Sequence, residues 1–142
     1  MLSLYAASWK MIPRVNRRPR CSRLTPCRIV DTRNAAGPLG GPSLAANATR
    51  TFTVTGVCGI PAGTKAISAN VTVVAGSAAG VFSFYPGNAF PLGTTTLNFG
   101  VGQIRANNAI LELATDGTGT IGVQNASAGA NHVLVDVNGY WK

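Results

Sequence analysis

The stretch KAISANVTVVA, residues 65–75, decides the fold class, because apolar side chains alternate in it with polar ones. Four apolar side chains share one face of the extended chain: Ile67, Ala69, Val71 and Val73. Three polar side chains share the opposite face: Ser68, Asn70 and Thr72. A period of two with one apolar face is typical of a strand in a two-layer β-sandwich.

Seven further runs have the same character and are separated by segments rich in glycine and proline. They are RIVDT (28–32), RTFTVTG (50–56), GVFSFYP (80–86), TTTLNFG (94–100), ANNAILELA (106–114), GTIGVQNA (119–126) and HVLVDVNGYW (132–141). Short strands at close spacing indicate an all-β protein. We therefore expect a single β-sandwich or jelly-roll domain of about eight strands, preceded by an extended N-terminal arm.

The composition also favours strands over helices. Only 11% of the 142 residues are charged, and just four are acidic. Surface helices usually carry many charged side chains on their outer faces, and this chain cannot supply them. The length is that of one domain.

The positive charge is concentrated at the N-terminus. Residues 1–26 contain six basic residues and no acidic one, whereas residues 27–142 contain six basic and four acidic residues. Pro13, Pro19 and Pro26 interrupt the first segment, which has no sustained hydrophobic period. We expect residues 1–26 to form an extended basic arm and residues 27–142 to form the sandwich domain.

The arm nevertheless contains large apolar side chains, including Leu4, Tyr5, Trp9 and Ile12. Burial of each of them would contribute about 1.5 to 3 kcal/mol. A sandwich closed by its own eight strands offers them no obvious place. We therefore expect the arm to dock on other copies of the chain, with Trp9 as an anchor. In that arrangement, Arg17 and Arg18 would bind carbonyl groups or acids of the neighbour.

Cysteine usage leaves two possibilities. Cys27 opens the first predicted strand and Cys58 follows the second, so the two could form a disulfide; two reduced thiols are the alternative. Cys21 is left over. No Cys-x-x-Cys motif occurs and His132 is the one histidine, which disfavours a metal site.

Asp31 and Arg33 are two positions apart, which places them on one face of a strand. We expect them to form a structural ion pair together with Asp136 and a further base. The alternative is a catalytic carboxylate pair of Asp31 and Asp136, as in glycosidases. Each acid has an arginine available as an ordinary partner, which disfavours that alternative.

Nucleophilic catalysis is also disfavoured by the sequence. His132 could act as a base towards Ser127 or Ser83, but no Gly-x-Ser-x-Gly motif is present. The chain is therefore expected to be no enzyme and to need no cofactor.

A glycan is the expected ligand if the chain binds a small molecule. Three aromatic side chains could contact a sugar: Tyr85, Tyr140 and Trp141. Asparagines in the predicted strands could supply the polar contacts. Nucleic acid is disfavoured as a partner, because the arm has few basic residues for packaging a genome.

Five motifs in a fixed order resemble a family of secreted bacterial β-rich modules. They are TPCRIVDTR, VCGIPAGTKAISANVTVV, GVFSFYPG, TTTLNF and HVLVDVNGYW, and they span about residues 25–141. The resemblance implies export to the extracellular space or cell surface, a disulfide between Cys27 and Cys58, and a non-enzymatic role. It does not extend to residues 1–24.

These observations together favour an extracellular structural subunit that self-assembles through its arm into a filament, tube or surface layer. A carbohydrate-binding cell-surface module is the first alternative, and a capsid-like coat protein is the second. No apolar run approaches the roughly 18 residues of a membrane span. The start, MLSLYAASWKM, lacks the basic segment of a signal peptide, so we expect either that export depends on a feature not visible there or that this start truncates a longer precursor.

Overall fold

The computed structural model describes residues 17–142, and this part of the chain is all-β, without helices. The predicted eight strands are confirmed. They are β1 (Cys21–Asp31), β2 (Thr49–Thr53), β3 (Ala66–Val74), β4 (Gly80–Pro86), β5 (Leu97–Phe99), β6 (Ile104–Glu112), β7 (Thr120–Ser127) and β8 (His132–Trp141).

The strands form two antiparallel four-stranded sheets that pack as a sandwich. One sheet has the order β1-β8-β3-β6 and the other has the order β2-β7-β4-β5. Neighbouring pairs therefore include β1 with β8, β2 with β7, β3 with β6, and β4 with β5. This is a long hairpin, with its tip between β4 and β5, rolled up into two sheets, which is the jelly-roll arrangement.

The core lies between the sheets and is built by the alternation seen in the sequence. The four apolar residues of β3 (Ile67, Ala69, Val71 and Val73) are all buried, whereas Ser68, Asn70 and Thr72 are half-buried on the outer face. The opposite sheet contributes Phe52, Phe82 and Ile121, which are fully buried. Phe82 also packs edge-to-face against Phe99, with ring centroids 5.2 Å apart.

The boundary of the arm differs from the prediction. β1 begins at Cys21, and its first residues pair with the end of β8: Cys21 lies opposite Trp141, and Arg23 opposite Gly139. Pro26 does not end the strand, because it lies within a shift of register between Arg23 and Cys27 on an edge strand, where proline is tolerated. Residues 21–26 thus belong to the chain's own sandwich.

Candidate functional site

The aspartates of β1 and β8 form a connected series of ion pairs with two arginines. Arg28 binds Asp136 through two hydrogen bonds, Nε to Oδ1 at 2.7 Å and Nη2 to Oδ2 at 3.0 Å. The same guanidinium lies 3.6 Å from Oδ2 of Asp31. Arg33 binds the Asp31 carboxylate through Nε at 2.9 Å and Nη2 at 2.8 Å. The structure thus brings Asp31, Arg33 and Asp136 together, with Arg28 as the link between them.

Arg33 is expected from the sequence to share a strand face with Asp31, but it lies outside the strand and contacts Asp31 from a turn. β1 ends at Asp31, and Arg33 lies in the following turn. Its backbone N–H donates to Oδ1 of Asp31 at 3.1 Å, so the turn folds back onto the carboxylate. The sequence signal for this arrangement is an Asx-type turn rather than a strand period.

These contacts oppose the catalytic alternative. Hydrogen bonding to Arg33 lowers the pKa of Asp31 from 3.8 to about 2, although burial of the carboxylate acts in the opposite direction. A general acid needs a raised pKa, as in glycosidases. Asp31 is therefore held ionised and acts as a structural anion.

A disulfide joins Cys27 of β1 to Cys58, which lies in the segment between β2 and β3. The two Cα atoms are 5.9 Å apart. The disulfide therefore links β1, an edge strand of one sheet, to the β2–β3 segment, which starts from the other sheet. Cys21 is exposed and forms no disulfide within residues 17–142.

The serine and histidine side chains considered for nucleophilic catalysis have separate partners. Ser127 donates to the Oδ1 of Asn125 at 2.9 Å in a buried site. Ser83 donates to the carbonyl of Thr94. The Nδ1 of His132 lies 3.0 Å from the hydroxyl of Thr32. The hydrogen bond of Ser127 thus lies within β7, that of Ser83 holds the β4–β5 connection, and that of His132 holds the turn after β1.

Sequence reasoning missed a buried polar network around Asn125. Its Nδ2 donates to the carbonyls of Leu44 at 3.1 Å and Gly129 at 2.9 Å. Asn131 donates to Oδ1 of Asn125 at 3.1 Å and to Oγ of Ser127 at 2.8 Å. Only the spacing Asn-x-Ser-x-x-x-Asn around a glycine turn could have indicated it. The network closes the connection between β7 and β8.

The three aromatic residues proposed for glycan contact are not brought together. Tyr140 and Trp141 are consecutive in β8, so their side chains point to opposite faces of the sheet. Tyr140 and Trp141 line different cavities, and Tyr85 lines a third one beside β4. Burial raises the pKa of Tyr85. The three side chains therefore do not form a single aromatic platform.

Only part of the predicted assembly arm is described. Leu4, Tyr5, Trp9 and Ile12 lie outside the described residues. Arg17 and Arg18 are exposed, and they line a cavity of about 490 Å³ together with Arg20, Tyr140 and other residues. This end of the sandwich is basic.

Exposed apolar groups are concentrated in one region of the described chain. The large hydrophobic side chains that are exposed within residues 17–142 are Phe90, Leu92, Val101, Ile104 and Ile110. They lie in the β4–β5 connection, the β5–β6 turn and β6 itself, and their exposure ranges from 65% to 84%. We call this region the β6 side. A concentration of exposed apolar groups typically marks an interaction surface.

Two cavities flank the end of β6. A groove of about 630 Å³ is lined by Ile110, Glu112, Trp141 and Pro19, among others. A cleft of about 190 Å³ lies between β6 and β4 and is lined by Phe84, Leu111 and again Ile110 and Glu112. We call them the outer groove and the side cleft. The end of β6 is therefore open on both faces.

Within residues 17–142, no cluster of three or more histidine, cysteine, aspartate or glutamate side chains could hold a metal ion. The same residues form no helix long and apolar enough to cross a membrane.

No protein-family model and no curated protein matches the chain. Two solved structures of the tobacco streak virus coat protein are similar to it. The coat protein dimer has 16% sequence identity, a TM-score of 0.41 and coverage of 84% of each chain. The coat protein in a C2 crystal form has 15% identity, a TM-score of 0.41, and coverage of 88% of this chain and 89% of the other.

Proposed function

We propose that the chain is a non-enzymatic, extracellular structural subunit that self-assembles through its N-terminal residues into a filament, tube or surface layer. The observation that carries this proposal is the concentration of exposed apolar side chains on the β6 side. Exposed apolar groups of this kind favour association, so their number on the β6 side supports the presence of a partner surface.

The N-terminal residues provide a matching group. Leu2, Leu4, Tyr5, Trp9 and Ile12 need an apolar environment, and the core of the sandwich is already filled by its own strands. Association of the apolar N-terminal residues of one copy with the β6 side of another would remove both surfaces from water. The gain is of the order of 1.5 to 3 kcal/mol for each large side chain that becomes fully buried.

An extracellular location and membership of the family of secreted bacterial modules are parts of the same proposal. The Cys27–Cys58 disulfide supports them, because disulfides persist in oxidising compartments. The low content of charged residues also suits a subunit that packs against other copies over much of its surface.

A comparison of two chains tests the proposal. The full chain and a truncated chain of residues 17–142 are examined by sedimentation velocity and negative-stain electron microscopy. The truncation ends before Cys21, because residues 21–26 belong to β1. The full chain is expected to assemble and the truncated chain to stay monomeric. A full chain that stays monomeric at high concentration, or a truncated chain that assembles in the same way, would overturn the proposal.

A further inference from the structure

We propose that the free edge of β6 accepts residues 1–16 of a second copy of this chain as an added antiparallel β-strand. This inference rests on the proposed function, and it names the acceptor site for the N-terminal residues. It follows from a comparison of the sheet edges, from the direction of the backbone groups of β6, and from the two cavities beside them.

The two sheets have four edge strands, and three of them are protected. β1 has two shifts of register and is tied down by the disulfide of Cys27. β2 has five residues, and β5 has three. β6 has nine residues that pair with β3 in continuous register, and it contains no proline. A long regular edge is a template for another strand, and natural proteins usually block such edges.

Two hydrogen bonds at the ends of β6 fix the direction of its backbone groups. The N–H of Leu113 donates to the carbonyl of Lys65, and the carbonyl of Gln103 accepts from the N–H of Ala75, both at 2.9 Å. The backbone N–H and C=O groups of the odd-numbered residues of β6 therefore point towards β3. Because antiparallel strands alternate, even-numbered residues point their N–H and C=O groups at the free edge. They are Ile104, Ala106, Asn108, Ile110 and Glu112.

The cavities give an added strand a place for side chains on both faces. Successive side chains of a strand point to opposite sides. A strand that pairs with Ile110 and Glu112 would place alternate side chains towards the outer groove and towards the side cleft. The side cleft exists because β5 pairs only with Gly80, Val81 and Phe82, so the rest of β4 has no strand beside it there.

The sequence of residues 1–16 suits a site with two apolar faces. Leu2 and Leu4 share one set of alternate positions, and Tyr5, Trp9 and Met11 share the other. Both faces of this segment would thus carry large apolar side chains. A strand with water on one face would instead show the polar alternation of β3.

The direction of the chain favours a second copy as the donor. Pro19 already lies at the outer groove beside Glu112, so residues 1–16 of the same chain would have to run along β6 in its own direction. An antiparallel approach would first require them to reach the Ile104 end, about 30 Å away at 3.4 Å per residue. That path and the turn at its end would use more than half of the segment, so the residues left to return would cover only part of β6, which has nine residues. An arm from another copy has no such restriction.

A proline at the free edge tests the site without breaking the sheet. Asn108→Pro removes an N–H that faces the edge, and Ala106→Pro is a second variant of the same kind. The matched control is Thr51→Pro on β2. In β2 the backbone groups of the even-numbered residues point towards β7, since the N–H of Val54 donates to the carbonyl of Gly119 and the carbonyl of Ala48 accepts from the N–H of Asn125. The N–H of Thr51 therefore points towards the free edge of the other sheet. Circular dichroism and melting curves check that each variant is folded.

Sedimentation velocity then compares the full chains. The Asn108→Pro chain is expected to lose all species larger than the monomer, whereas the Thr51→Pro chain assembles like the wild type. Mixing adds a complementation test. The Asn108→Pro chain keeps a donor but has no acceptor, and the chain of residues 17–142 keeps an acceptor but has no donor. Together they should form a 1:1 heterodimer that does not grow further.

The outcomes separate failure of this inference from failure of the proposed function. If the wild-type chain assembles and both β6 proline variants assemble equally well, the acceptor lies elsewhere and the inference is overturned, while the proposed function stands. Assembly lost in Asn108→Pro without a 1:1 heterodimer in the mixture would also overturn the inference. A wild-type chain that never assembles overturns the proposed function itself.

Discussion

Arg28 and Asp136 lie opposite each other on β1 and β8, and they join the first and last strands of the fold by two hydrogen bonds of 2.7 and 3.0 Å. Arg28 also approaches Asp31, which binds Arg33. Charges on the two strands are thus paired locally, close to the position where Cys27 forms its disulfide. Ionic and covalent contacts therefore act on the same edge strand.

The ionised state of Asp31 gives the fold a defined dependence on pH. Its pKa is about 2 in the folded chain and 3.8 without these contacts. The unfolded chain therefore binds the proton more readily between these values, and stability must fall as the pH decreases from about 4 to about 2. Asp31→Asn is expected to lower the free energy of unfolding by about 1 to 3 kcal/mol at pH 7. That difference should shrink towards pH 2.

Melting curves of the wild-type and Asp31→Asn chains from pH 2 to pH 7 measure this effect. Arg33→Gln removes the largest cause of the lowered pKa, so its difference from the wild type should shrink over the same range. Differences that stayed constant from pH 7 to pH 2 would contradict this assignment.

The disulfide predicts a contrast between cysteine variants. Cys27 and Cys58 are 31 positions apart, and a loop of this length corresponds to about 3 to 4 kcal/mol of stabilisation by chain entropy. Cys27→Ser should lower the melting temperature strongly. Cys21→Ser should leave it unchanged, because Cys21 is exposed at the start of β1. A thiol assay on denatured, unreduced chains should find no thiol from Cys27 or Cys58.

The buried network predicts an unequal effect for two asparagines. Asn125→Ala removes an amide whose Nδ2 donates to the carbonyls of Leu44 and Gly129 and whose Oδ1 accepts from Ser127 and Asn131, so several buried hydrogen bonds are lost together. The expected loss is about 2 to 4 kcal/mol, since each such hydrogen bond contributes about 0.5 to 1.5 kcal/mol. The control is Asn98→Ala on the exposed face of β5, which should stay within about 0.5 kcal/mol. Urea unfolding measures both, and equal values would show that the network adds no stability.

The strands and their buried faces could be predicted from local patterns. The alternation of residues 65–75 and 132–141 requires one face to be apolar, and Ile67 and Val135 are indeed fully buried. The start of β1 at Cys21 does not follow from local patterns, because proline usually interrupts a strand and Pro26 lies within this one. Its tolerance depends on a register shift against β8, which is distant in sequence.

The β6 side could not be found from the sequence for a similar reason. The run ANNAILELA predicts a strand, but which strands become edges depends on the order of all eight. The side cleft opens because β5 begins only at Leu97, opposite Phe82, so the following residues of β4 have no strand beside them on that side. Ile110 is apolar and in a strand, so by pattern alone it is indistinguishable from a core residue.

Ile110 and Leu111 provide the last prediction, because these consecutive residues of β6 have opposite roles. Leu111 is 5% exposed and contributes to the core, whereas Ile110 is 67% exposed and lines both the outer groove and the side cleft. Leu111→Ser should destabilise the chain by several kcal/mol, as for other losses of buried apolar groups. Ile110→Ser should change the free energy of unfolding of the monomer by no more than about 0.5 kcal/mol.

Assembly should respond in the opposite way. If Ile110 becomes buried against residues 1–16 of another copy, its loss costs about 1.5 to 3 kcal/mol of association, which is roughly a 10- to 150-fold higher concentration for half-assembly. Sedimentation velocity across a dilution series of the Ile110→Ser chain measures this shift, and urea unfolding of the truncated chain of residues 17–142 with the same substitution measures the stability. An unchanged half-assembly concentration would mean that Ile110 stays in water in the assembled state.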